Sequence, residues 1–207
     1  MSENVWGIVV AAGSGSRFGS PKQYEVLRGR RVLDWARQAM RTNVEGVVMV
    51  VPEDRMGKLE PGANAVVAGG ATRSASVRAG LAAVPDRVEI IVVHDAARPL
   101  ARASLVALVI EAVRNGADAA VPGLEVTDTI RSLDGGVLDR SQLVAVQTPQ
   151  AFRADVLRRA HEGEPEATDD AALVEAIGGT VVVVDGQPDN FKITTPTDLK
   201  IAGLLLG

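Results

Sequence analysis

The sequence predicts a doubly wound, three-layer α/β fold with a mostly parallel sheet. Short β-branched runs alternate with longer helical patterns along nearly the whole chain. Runs such as VWGIVV and GVVMVV are apolar throughout, as strands are when helices cover both faces of a parallel sheet. The 207 residues suffice for one domain with a full core, and 46% apolar against 23% charged residues excludes a disordered chain.

The elements follow in order. Val5–Val10 is a buried strand, Val32–Arg41 a helix, and Gly46–Pro52 a strand stopped by its proline. Ala63–Gly70 is a short strand opening into glycines, and Ser74–Val84 a helix with Ser74 as its cap. Glu89–Asp95 is a strand, Arg102–Gly116 a helix ended by Asn-Gly, and Ala117–Gly123 a strand. Helices over Ala154–His161 and Asp169–Ile177 follow, the second capped by Thr168 or Asp169. Thr180–Asp185 is a strand, and a closing helix starts at Thr197.

Between Thr127 and Pro149 the rhythm breaks. Asp134-Gly135-Gly136 is a turn between two extended stretches, which predicts a hairpin arm projecting from the sheet. A lone two-stranded hairpin is marginal in water, so the arm should lie on something, most simply a second copy of the chain.

Composition excludes several function classes. The net charge of −4, with no run of Lys or Arg, argues against nucleic acid and anionic membranes as partners. No apolar run approaches the ~20 residues of a membrane helix, and the start MSENVW lacks a signal core. The absence of cysteine removes disulfides, thiolate nucleophiles and Cys-based metal sites. The expectation is a soluble, cytoplasmic protein.

The stretch VVAAGSGSRFGSPKQY handles phosphate in one of three known ways. A dinucleotide turn needs G-x-G-x-x-G, but Gly13, Gly15 and Gly19 are spaced one residue too widely. A P-loop needs Gly-Lys-Ser/Thr, but Pro21 separates the glycine from Lys22. The triphosphate loop of a nucleotidyltransferase fits best. Gly13 and Gly15 let backbone N–H groups approach a polyphosphate, Arg17 and Lys22 add charge, and Pro21 fixes the backbone ahead of Lys22. The plain alternative is a solvated turn with two ordinary cations.

Further candidates cluster in three places. VVHDAARP ends a buried strand, where Asp95 can meet Mg²⁺ or a ribose hydroxyl and Arg98 offers a planar fork to phosphate. His94 reads as a structural histidine. In AGGATRSASV, Gly69-Gly70 can admit a flat base, with Arg73 and Ser76 facing the same loop. In DNFKITTP, Lys192 sits in a strand-like run between Phe191 and Ile193, as a solvated edge or a third phosphate cation.

The motifs AAGSGSRFGSPKQY, GGATRSASV, HDAARP, DTI, LDRSQLVAVQTPQAF, TDDAALVE and NFKIT, in that order, resemble the 2-C-methyl-D-erythritol 4-phosphate cytidylyltransferase family. The likeness runs from about Ile8 to Leu199. The resemblance implies a Rossmann-like nucleotidyltransferase fold in one domain over 1–207, with a dimerisation arm at about 127–149. It implies CMP transfer from CTP to methylerythritol phosphate with release of pyrophosphate, Mg²⁺ dependence, and a homodimer whose arms complete each other's sites. It assigns Ala11, Ala12, Gly13 and Gly15 to CTP, with Arg17 and Lys22 stabilising the transition state. Gly70, Arg73 and Ser76 then sit at base and ribose, and Asp95 and Ala96 at ribose and metal. Arg98, Thr129, Arg140, Thr148, Asp189 and Lys192 surround the sugar phosphate. Thr129 and Arg140 cross the dimer, and Arg140 and Lys192 aim the attacking phosphate. One position departs: Ala71 stands where many members carry an acidic residue near the pyrimidine. The rivals are a ribitol-5-phosphate cytidylyltransferase, a non-catalytic nucleotide-binding regulator and an NAD-binding oxidoreductase.

Overall fold

The structure is a computed structural model that describes residues 4–15, 18–58 and 60–206. Its strands are β1 (Val5–Val10), β2 (Val26–Leu27), β3 (Arg30–Arg31), β4 (Gly46–Val51), β5 (Ala65–Ala68) and β6 (Ile90–Asp95). These are followed by β7 (Ala119–Glu125), β8 (Val144–Val146), β9 (Gln150–Arg153) and β10 (Val181–Asp185). The helices are α1 (Val32–Met40), α2 (Arg73–Ala82), α3 (Ala103–Arg114), α4 (Ala154–Ala160), α5 (Asp170–Ala176) and α6 (Pro196–Leu205).

The main sheet runs β10-β7-β9-β6-β1-β4-β5, with β8 also paired to β7. The pairs β1–β4, β1–β6, β4–β5 and β7–β10 are parallel. Alternation along each central strand divides the core. Val5, Val9, Val47, Met49 and Val92 pack on the side of α1 and α3. Ile8, Val48, Val50, Ile91 and Val93 pack on the side of α2, α4 and α5. Two apolar layers on one sheet explain why these strands are apolar at consecutive positions. A third cluster, with Leu27, Val32, Ile193 and Ala202, seats α6 against the β2–β3 hairpin and α1.

Three expectations change. The strand β9 went unread. It is antiparallel to β6 and β7 and fills the gap between them. The arm has its turn, with Ser132 N donating to Gly136 O, but only one bridge, Arg131 to Val137, joins its two sides. Its return, Val144–Val146, pairs antiparallel with Gly123–Glu125, so this part of the arm does have a sheet to join. The reason is hydrogen-bond accounting. The strand β7 outlasts its pairing with β9 at Ala119 and Ala120, and β8 takes up the backbone groups beyond. Finally, Thr72 caps α2 by accepting from Ala75 N, while Ser74 turns inward and donates to Ala167 O.

His94 holds the end of β6 in place, as its structural reading expects. It is fully buried, with Nδ1 at 2.9 Å from Thr148 Oγ1 and Nε2 at 3.2 Å from Arg98 O. Burial pushes its imidazole down to about 4, so the native ring is neutral. Between pH 4 and 6.5 the unfolded chain therefore binds a proton that the native chain does not. Stability from this group is complete above about pH 6.5 and is lost as pH falls towards 4, by at most on the order of 3 kcal/mol. We expect the difference in unfolding free energy between the wild type and His94→Asn, measured in urea, to narrow as pH falls through that window. A constant difference would show that His94 titrates normally.

Candidate active site

A cleft of about 420 Å³ opens at the carboxyl ends of β1, β5 and β6. Parallel strands end here, and the first turns of the following segments leave backbone groups free for a ligand. Ala11, Ala12, Gly13, Gly15, Lys22, Gly70, Arg73, Ser76, Asp95, Ala96 and Lys192 all line it. The sequence expectations for the nucleotide therefore meet in one place. Arg17 lies outside the described residues.

The glycine loop is shaped from within. Gly15 has φ +71°, and a Cβ there would stand 1.9 Å from Ser20 O, so no other residue fits without moving the backbone. Gly13 faces open space. Gln23, which sequence reasoning did not single out, is buried and donates from Nε2 to Ala11 O at 2.7 Å and Gly13 O at 2.8 Å. It ties down two loop carbonyls next to Lys22. The only sequence signal for it is a polar residue directly after the lysine.

The loop after β5 gives its glycines a packing reason as well. A Cβ on Gly69 would lie 2.2 Å from Ala12 Cβ, and one on Gly70 would lie 2.5 Å from Ala75 Cβ. These glycines make room for the protein's own neighbouring segments. Gly70 N donates to Ser76 Oγ, which donates to Thr72 O at 2.9 Å.

Charge at the cleft is paired in sequence. Lys192 Nζ lies 2.6 Å from Asp95 Oδ2, and Arg73 Nε lies 3.4 Å from Asp95 Oδ1. Burial works to raise the Asp95 carboxyl, but Lys192 and then Arg73 outweigh it and hold it well below the usual carboxylate range. Asp95 is thus an ionised carboxylate in a cleft wall. The run around Lys192 is not a strand. Ile193 N donates to Ala97 O and its side chain is buried, which fixes the lysine beside Asp95.

A second lobe of about 320 Å³ shares Arg73, Asp95 and Lys192 with the first and adds Arg98, Gln147, Thr148, Gln150, Thr168 and Asp169. Thr148 Oγ1 accepts from Asp95 N at 3.0 Å. Arg98 donates from Nη1 to Asn190 O at 2.7 Å, and burial lowers its pKa. The remaining expected residues lie apart. Thr129 and Arg140 are exposed on the arm and line neither lobe, and Arg140 donates to Thr127 O. Asp189 pairs with Arg102 Nη2 at 2.9 Å and lines a different cavity, with Trp35, Leu100 and Leu205.

Among the described residues, no group of three or more His, Cys, Asp or Glu could hold a metal ion. Asp95 alone still suits Mg²⁺, which typically takes one or two carboxylates and completes its shell with water and substrate phosphates. No helix among the described residues is long and apolar enough to cross a membrane.

Comparison with known proteins agrees with this fold. The family model for IspD, 2-C-methyl-D-erythritol 4-phosphate cytidylyltransferase, matches residues 5–207. The cytidylyltransferase of that name from Rhodococcus jostii (strain RHA1) is 46% identical over 212 residues, covering 96% of this chain and 93% of that protein. Its counterpart from Nocardia farcinica (strain IFM 10152) is 43% identical over 217 residues, covering 98% of this chain and 94% of that one. The crystal structure of the Thermus thermophilus enzyme superposes with a TM-score of 0.82 at 38% identity, covering 96% and 97% of the two chains. This chain belongs to the 2-C-methyl-D-erythritol 4-phosphate cytidylyltransferase family.

Proposed function

We propose that this chain transfers CMP from CTP to 2-C-methyl-D-erythritol 4-phosphate and releases pyrophosphate, in non-mevalonate isoprenoid biosynthesis. The observation that supports the reading is a cleft of two lobes joined through Arg73, Asp95 and Lys192. The larger lobe suits a nucleoside triphosphate and the smaller a short phosphorylated polyol. A phosphate oxygen of the acceptor attacks the α-phosphorus in line. The bond from the α-phosphorus to the bridging oxygen breaks, and pyrophosphate leaves with the electron pair. No protein nucleophile is required, so the protein positions the substrates and neutralises charge.

In this reading backbone N–H groups at Ala12, Gly13 and Gly15 hold the triphosphate, and Ala11, whose own N–H donates to Val50 O, borders it. Arg17 and Lys22 offset charge that develops on it. Gly70, Arg73 and Ser76 border base and ribose, and Asp95 and Ala96 the ribose. Arg98, Thr148 and Lys192 receive the sugar phosphate. Asp189 joins them only by leaving Arg102. Asp95 would hold Mg²⁺, which supplies neutralisation of phosphate charge. Both substrates are water-soluble phosphates, which suits a cytoplasmic enzyme.

The active form in this proposal is a homodimer of one-domain subunits, residues 1–207, with the arm at 127–149 as the contact. Leu133, Val137 and Leu138 on the arm are exposed, as are Val144 and Val146 on β8 and Val182 and Val183 on β10. A monomer rarely leaves so many apolar side chains in water in one region. Thr129 and Arg140 would reach the partner's second lobe.

Pyrophosphate release should require CTP together with methylerythritol phosphate. Turnover with ribitol 5-phosphate instead would reassign the acceptor, and CTP binding without turnover would make the chain a regulator. Lys22→Ala should keep the wild-type melting temperature and lose about 10²–10³-fold in kcat. Near-normal turnover would remove Lys22 from the chemistry.

Mixed dimers test the shared site. With Arg140 acting in trans and Lys22 in cis, a dimer of one Arg140→Ala and one Lys22→Ala subunit has one doubly damaged site and one intact site. Such dimers should regain up to half of the wild-type activity after demonstrated subunit exchange. No recovery would refute the shared arrangement.

A further inference from the structure

Behind the cleft, Arg73 has a partner that lines neither lobe. Asp170 is fully buried and sets Oδ2 at 2.7 Å from Arg73 Nη1, closer than the 3.4 Å contact between Arg73 Nε and Asp95. Its other oxygen, Oδ1, lies 3.0 Å from His161 Nε2. A carboxylate only accepts, so Nε2 carries the proton and His161 braces Asp170 from the far side. His161 is itself buried and caps the end of α4.

Local structure explains the pairing. Arg73 opens α2 directly after its cap Thr72, where the helix dipole disfavours a cation. It is also largely buried, and a buried guanidinium needs a counter-charge. Asp170 lies in the first turn of α5, where the dipole favours an anion, and Asp169 already caps that helix. Burial works to lower the Arg73 pKa, but Asp170 and then Asp95 outweigh it and raise it, so the guanidinium stays charged. Asp95 also serves Lys192 at 2.6 Å, whereas Asp170 gives Arg73 its shortest ion pair. Arg73 Nη2 has no hydrogen-bond partner among the described residues.

We propose that Asp170, braced by His161, is a positioning residue for CTP binding. It fixes the Arg73 guanidinium at the junction of the two lobes while Asp95 turns to substrate. The inference rests on the proposed place of Arg73 at the nucleotide.

Calorimetric binding of CTP with Mg²⁺, together with KM for each substrate, tests it. Arg73→Ala should raise the CTP Kd about tenfold or more, as loss of a charged hydrogen-bond partner does. Asp170→Asn should reproduce most of that rise, with the KM for methylerythritol phosphate unchanged. The double variant should bind CTP no worse than Arg73→Ala alone. An Asp170→Asn chain with wild-type CTP affinity beside an impaired Arg73→Ala chain overturns the proposal and leaves the site reading intact. So do losses that multiply in the double variant. A harmless Arg73→Ala instead removes Arg73 from the nucleotide site, and the inference with it. Should Asp170→Asn fail to fold, His161→Asn decides, since it keeps both charges of the ion pair. A CTP Kd about threefold weaker, with the other KM unmoved, supports the brace, and an unchanged Kd overturns it.

Discussion

The cleft depends on keeping one nearly buried carboxylate ionised. Asp95 ends β6 deep in the sheet, where an uncompensated charge costs several kcal/mol. Two cations from distant parts of the chain prevent protonation. Lys192 arrives on a segment pinned by Ile193 in the third core cluster, and Arg73 arrives on the first turn of α2. Each cation needs its own anchor. The packing of α6, the start of α2 and the α4–α5 pair thus all converge on the end of one strand. The charges are in place before any ligand arrives, which is how electrostatic preorganisation lowers a barrier without reorganising at the moment of reaction.

The two ligand loops are fitted to one another by the same economy. The β1 loop lets Ala12 approach the β5 loop because Gly69 has no side chain there, and Gln23 holds the loop's carbonyls. With Ala11 O and Gly13 O occupied, the loop keeps its shape, and Gly13 remains open to solvent. The glycines thus serve two purposes that a motif does not separate: backbone conformation at Gly15, and close packing at Gly69 and Gly70.

Much of this was legible in the sequence because burial on both faces leaves a plain mark. The strands β1, β4 and β6 announce themselves as unbroken apolar runs, and the segments after β1 and β6 carry Ala11, Ala12, Gly13, Gly15, Lys22, Ala96 and Arg98 of the candidate site. The strand β9 left no such mark. Gln150-Ala-Phe-Arg is short, begins with a polar residue, and owes its conformation to β6 and β7 on either side. The choice between Thr72 and Ser74 as cap was equally closed to sequence, since both residue types cap well and only tertiary packing against Ala167 draws Ser74 inward. Asp170 escaped for a related reason. In Thr168-Asp169-Asp170 either acid suits a helix start, and only the fold sets one on Arg73. Asp189 stands near Lys192 in sequence yet pairs with Arg102.

Charge in the second lobe bears on the proposed second subunit. Its cations in this chain are already engaged. Lys192 lies on Asp95, Arg73 lies between Asp95 and Asp170, and Arg98 is directed at the carbonyls of Asn190 and Val146. By formal charge the lining sets Arg73, Arg98 and Lys192 against Asp95 and Asp169, and Asp170 behind the wall takes up the charge of Arg73. A phosphate monoester brings about −1.5 to −2 at neutral pH, as it does on a phosphorylated side chain. A lobe that is neutral on balance has little with which to hold that charge, still less with which to turn it towards a triphosphate that repels it. In the proposed dimer, positive charge beyond that of the metal would come from outside the wall. Arg140 is exposed on an arm whose apolar side chains face water, and in that dimer it would supply this charge from the neighbouring copy.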